Sequence, residues 1–95
     1  ACYHRALLLE PGNAELNHNL GLALAMQGNL DESITYLARA LAINPGFAEA
    51  HYKLGVALIK TGRIDEGIRH FSEALRLNPA LEAARKALAA AQRLK

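Results

Sequence analysis

The chain has 95 residues, 52% of them apolar, with five aromatic side chains, no Trp and a net charge of +2. That length allows one small domain, and that charge gives no electrostatic case for nucleic acid or an anionic membrane. A single cysteine, Cys2, cannot close an internal disulfide. No apolar run approaches the ~20 residues of a membrane span and no targeting segment is visible, so a cytoplasmic location is the default expectation.

Taken in chain order, Ala1–Glu10 carries helical spacing and ends at Pro11. From Ala14 to Gln27 the apolar or small residues Leu16, Leu20, Ala23, Leu24 and Met26 recur at steps of three and four, which predicts a helix stopped by Gly28. Asp31 and Glu32 place negative charge at the start of a second helix, whose stripe is Ile34, Leu37, Ala40, Leu41 and Ile43. Asn44-Pro45 ends it, because a residue before proline is pushed out of the α region. The same order then recurs: a helix over Ala48–Thr61, a stop at Gly62, a start at Asp65-Glu66 and an end at Asn78-Pro79. A last helix is predicted over Leu81–Leu94, with Ala84, Leu88 and Ala91 on its apolar side.

Laying Ala14–Phe47 over Ala48–Leu81, a shift of 34, gives fourteen identities. They include Leu20-Gly21 with Leu54-Gly55, Gly28 with Gly62, Asp31-Glu32 with Asp65-Glu66, Ala40-Leu41 with Ala74-Leu75, and Asn44-Pro45 with Asn78-Pro79. A glycine inside a helix costs ~1 kcal/mol relative to alanine. Gly21 and Gly55 are therefore expected where paired helices come close, with Ala40 and Ala74 serving that contact from the other side.

These residues and this period resemble the tetratricopeptide repeat (TPR) family. The resemblance implies an all-α fold, an α-α superhelix of antiparallel helix pairs closed by a C-terminal capping helix. The whole chain, 1–95, forms one domain in this reading: 1–13 the second helix of a truncated repeat plus its turn, 14–47 and 48–81 two repeats, and 82–95 the cap, six helices in all. The chain is thus expected to be part of a longer array, and the face left without its first helix to favour a homodimer. Arg85 and Gln92 replace residues that contact a partner helix in the full units, as expected of a cap. Ser33 and Gly67 stand where the family has alanine and are expected to soften the core.

The resemblance further implies a concave groove lined by first helices that receives an extended peptide or a helix of another protein. By spacing, the groove residues are His18, Asn19, Leu22, Tyr52, Lys53, Val56, Ile59 and Lys86, flanked by Glu15, Ala25, Glu49, Ala90 and Arg93. Tyrosine beside cations and an amide suits a peptide backbone with a carboxylate. Chaperone-binding members of the family hold a peptide carboxylate with Lys, Asn and Arg. The matching places here are His18, Leu22, Lys53, Ala83 and Ala87, which argues against that clamp. The asparagine ladder of O-GlcNAc transferases is matched at Asn19 but not at Lys53 or Ala87.

No catalytic constellation is visible, so no enzyme activity is expected. His4, His18, His51 and His70 fall on different helices or faces and Cys2 does not share a face with His4, so no metal site is expected. No phosphate-binding glycine loop appears and no cofactor is expected. The expected function is a protein–protein interaction module whose partner is another protein or peptide. The alternative is a structural or self-associating element, or the regulatory tail of a larger protein such as a glycosyltransferase.

Overall fold

A computed structural model describes residues 13–94 and, among them, five helices and no strand. These are α1 (Ala14–Met26), α2 (Leu30–Ile43), α3 (Ala48–Lys60), α4 (Ile64–Leu77) and α5 (Glu82–Gln92). Each helix packs on the next, α3 also touches α1 and α5, and the stack measures 41 × 25 × 18 Å. The helix expected over Ala1–Glu10, with Cys2, His4 and the face expected to pair two copies, lies outside the described residues.

The chain reverses at two kinds of turn, and each kind occurs twice. Gly28 and Gly62 adopt φ of 86° and 87°, a region that costs other residues ~1–2 kcal/mol. Gly28 N–H donates to Ala25 O at 3.0 Å and Asn29 N–H to Leu24 O at 2.9 Å. Gly62 and Arg63 repeat this on Ile59 O and Leu58 O at 3.0 and 2.8 Å. Each pair caps two carbonyls that the helix end would otherwise leave without partners. After α2, Asn44 Oδ1 accepts from Gly46 N–H at 3.2 Å, and after α4 Asn78 Oδ1 accepts from Ala80 N–H at 3.2 Å. The recurring asparagine is thus a side chain that closes the turn which proline starts.

The glycines inside α1 and α3 stand at points of close approach. A Cβ on Gly21 would lie 2.7 Å from Leu37 Cγ, and one on Gly55 2.6 Å from Phe71 Cε1. Leu37 with Ser33 and Phe71 with Gly67, rather than Ala40 and Ala74, supply the nearest atoms, although both alanines are fully buried. The two replaced alanines each have a use. Ser33 Oγ donates to Gly21 O at 2.7 Å across the helix pair, and Gly67 makes room for Ile59 Cδ1.

Leu37, Leu54 and Leu58, with Ile34 and Leu41, form the core that joins α2 to α3. Each fully buried leucine of that kind contributes ~1.5–3 kcal/mol. Among the described residues no helix is long and apolar enough to cross a membrane.

Candidate functional site

One surface of the stack is built from α1, α3 and α5, which present the same four repeat positions. On α3 these are Lys53, Val56, Ala57 and Lys60, at the i, i+3, i+4 and i+7 spacing that shares one helix face. Asn19, Leu22, Ala23 and Met26 are their counterparts on α1, and Ala87, Ala90, Ala91 and Leu94 on α5. Between α1 and α3 lies an open depression of about 280 Å³ lined by Leu22, Ala25, Met26, Leu30, Leu37, Lys53, Val56, Ala57 and Lys60. Between α3 and α5 lies a second of about 280 Å³, lined by Val56, Ile59, Lys60, Phe71, Ala87, Ala90, Ala91 and Leu94. Val56 and Lys60 belong to both, so the two depressions adjoin. The lining is apolar except for Lys53 and Lys60 and contains no carboxylate.

Of the residues expected from sequence, Asn19, Leu22, Lys53, Val56 and Ile59 line this surface. Tyr52 is half-buried beside it, its ring 6.0 Å from that of Phe71, with Lys53 Nζ 5.2 Å above it. Lys86 is exposed on α5 and lines neither depression. His18 is only 6% exposed and its ring packs against Phe47 at 4.6 Å. Burial pushes its pKa down, Lys53 adds to that and Glu49 and Glu15 oppose it. Met26, 88% exposed, and Lys60, at the meeting point of the depressions, are the residues that sequence reasoning missed. The 34-residue shift held the signal: Met26, Lys60 and Leu94 are one repeat position read three times.

A second cluster lies between α3 and α4. His51 and His70, expected on separate faces, approach with Nδ1 atoms 3.0 Å apart, because the two helices cross there. His51 Nε2 also donates to Pro45 O at 3.2 Å, and Arg85, 34 residues later, donates to Pro79 O at 3.2 Å. Arg85, expected as a polar mark of the cap, is therefore also a link to the preceding turn.

Two models of the tetratricopeptide repeat family match the chain, one over residues 24–91 and one over residues 1–46. No curated protein sequence matches it. Among solved structures, a mutant O-GlcNAc transferase of Thermobaculum terrenum is 38% identical, with a TM-score of 0.89 over 94% of this chain and 17% of that one. YrrB, described as a TPR protein with an unusual peptide-binding site, is 27% identical, with a TM-score of 0.85 over 90% of this chain and 44% of that one. The first TPR of Spaghetti (RPAP3), bound to an HSP90 peptide, is 20% identical, with a TM-score of 0.95 over 98% of this chain and 74% of that one. This chain spans about a sixth of the transferase and less than half of YrrB.

Proposed function

The chain belongs to the tetratricopeptide repeat family, and we propose that it is a protein-interaction module whose adjoining depressions receive an extended segment of another protein. The observation that carries this reading is the repeated row on α1, α3 and α5, with apolar positions at both ends and cations only in the middle. The segment it fits has apolar side chains for the two depressions and a carboxylate for Lys53 and Lys60 between them. A lysine ammonium beside an apolar floor strengthens such a contact, since charge-assisted hydrogen bonds are roughly twice as strong as neutral ones. Support comes also from YrrB, whose described feature is a peptide-binding site.

Selection from a displayed random-peptide library tests the reading. Enriched peptides should combine apolar residues with Asp or Glu, and Lys53→Glu with Lys60→Glu should weaken them at least tenfold while helicity is unchanged. Absence of enrichment, or binding indifferent to both Val56→Asp and the charge reversal, would sink it.

A second reading is favoured by the 38% identity to one stretch of a transferase. In it, the same surface serves as the recognition segment of a larger protein and itself contributes binding rather than chemistry. Fusing the library-selected peptide to a candidate substrate of the full-length protein distinguishes the two. Faster turnover supports the second reading, and an unchanged rate supports a free-standing adaptor.

A further inference from the structure

His51 and His70 stand on different helices of one repeat, yet their rings lie stacked, 29° between planes and 5.2 Å between centroids, with the Nδ1 atoms 3.0 Å apart. The Pro45 carbonyl can only accept, so the hydrogen on His51 sits on Nε2. The neutral His51 ring then offers its Nδ1 lone pair, and His70 Nδ1–H donates to it. Both rings are partly exposed, so dissolved ions can reach them.

We propose that His51 and His70 form a two-imidazole site for a first-row cation of tetragonal preference, Cu(II) or Ni(II), bound through both Nδ1 atoms. A metal–nitrogen bond of ~2.0–2.1 Å puts nitrogens that are 3.0 Å apart at an angle of about 95° at the metal. That is a cis angle of a square or tetragonal site. A tetrahedral zinc would hold them ~3.4 Å apart by the same bond length. Tetragonal sets of nitrogen and oxygen ligands belong to Cu(II) and Ni(II). The link from His51 Nε2 to Pro45 O is the outer hydrogen bond that fixes a metal-bound imidazole in its tautomer.

Binding moves the His70 hydrogen from Nδ1 to Nε2 and frees the second lone pair, with no net proton released. Burial, with His51 and Arg69 adding and Glu66 and Glu73 opposing, keeps the His70 pKa below its ordinary value, so the ring meets the cation neutral. Glu73 is engaged by Arg76, whose Nε donates to it at 2.8 Å. Among the described residues no group of three His, Cys, Asp or Glu converges as metal ligands, so water would complete the coordination.

The test uses the chain with Cys2→Ser and His4→Gln, which removes other strong ligands, and titrates it with copper sulfate. One equivalent of copper should bind, with an electron paramagnetic resonance signal split by two nitrogens and a melting temperature that rises with copper. His51→Gln and His70→Gln should each weaken binding at least tenfold, while His18→Gln should not. Copper-induced broadening of imidazole signals should strike His51 and His70 first, a readout that needs neither variant to fold. No stoichiometric binding, splitting by one nitrogen, broadening centred on another histidine, or affinity unaltered by either glutamine variant would overturn the site.

Discussion

The first and second repeats share their turns and differ in how they fill the space between their helices. Around Gly21 the packing residues are Ala25, Ser33 and Leu37, and around Gly55 the equivalent positions hold Ile59, Gly67 and Phe71. Two residues grow and one shrinks, and both versions bury the central side chain, Leu37 at 1% and Phe71 at 2% exposure. The first repeat spends its spare volume on a hydroxyl that hydrogen-bonds Gly21 O, and the second removes that side chain to admit Ile59. The backbone arrangement thus depends on total volume at the crossing rather than on any one residue, as expected for a close-packed interior.

The strongest way to test that comparison is truncation. Phe71→Ala should cost ~3–5 kcal/mol and Leu37→Ala ~2–5 kcal/mol in chemical denaturation. In a chain this small, Phe71→Ala is expected to abolish the cooperative transition. Equal small costs would show that the crossings are not close-packed.

Exchange between the repeats comes next. Gly67→Ser places a Cβ 2.6 Å from Ile59 Cδ1 and 3.0 Å from Gly55 O, and such overpacking costs ~1–3 kcal/mol. Ile59→Ala in the same chain recreates the first repeat's arrangement and should recover ~0.5–3 kcal/mol as a coupling energy in a double-mutant cycle. Strict additivity would refute the volume argument.

The turns should behave alike where the crossings do not. Gly28→Ala and Gly62→Ala should each cost ~1–2 kcal/mol, since both glycines have positive φ and open space around them. A difference larger than ~1 kcal/mol between them, measured by thermal melts of either single variant, would mean that the turns are not equivalent.

The smallest effect is in pH. The folded pKa of His70 lies below its ordinary value of 6.5, chiefly through burial, with His51 and Arg69 adding. The unfolded chain therefore binds more protons than the folded one as pH falls through that range, and stability drops with it. Melts between pH 8 and about 5 should show this decline, and His70→Gln should flatten it relative to the parent, whereas Thr35→Ala should not.

The helices were legible because their limits rest on local chemistry. Gly28 and Gly62 need a left-handed backbone, and Asn44 and Asn78 close their own turns, so each end is written within four residues. The pairing of Gly21 with Leu37 and Ser33 was only half legible. The period shows that the glycine matters, but which residue meets it depends on how two helices cross. The surface row was legible on α1 and α3 at Leu22, Lys53 and Val56. It was misplaced by one residue on α5, where Ala87 and Leu94 line the depression in place of Lys86 and Arg93. His51 and His70 were invisible as a pair, because a 19-residue separation that spans a glycine turn matches no helical period.

The reach from residues 51 and 85 back to the prolines at 45 and 79 has a mechanical consequence. Each such link crosses the joint between one repeat and the next, outside either crossing. One joint is held by a flat ring with a single torsion beyond χ1, the other by a long arm with several. Under a pull along the array axis, the joint at Pro45 is the stiffer spring and the joint at Pro79 the softer. A substitution at either position would change the bend of the array while leaving both interiors as they are.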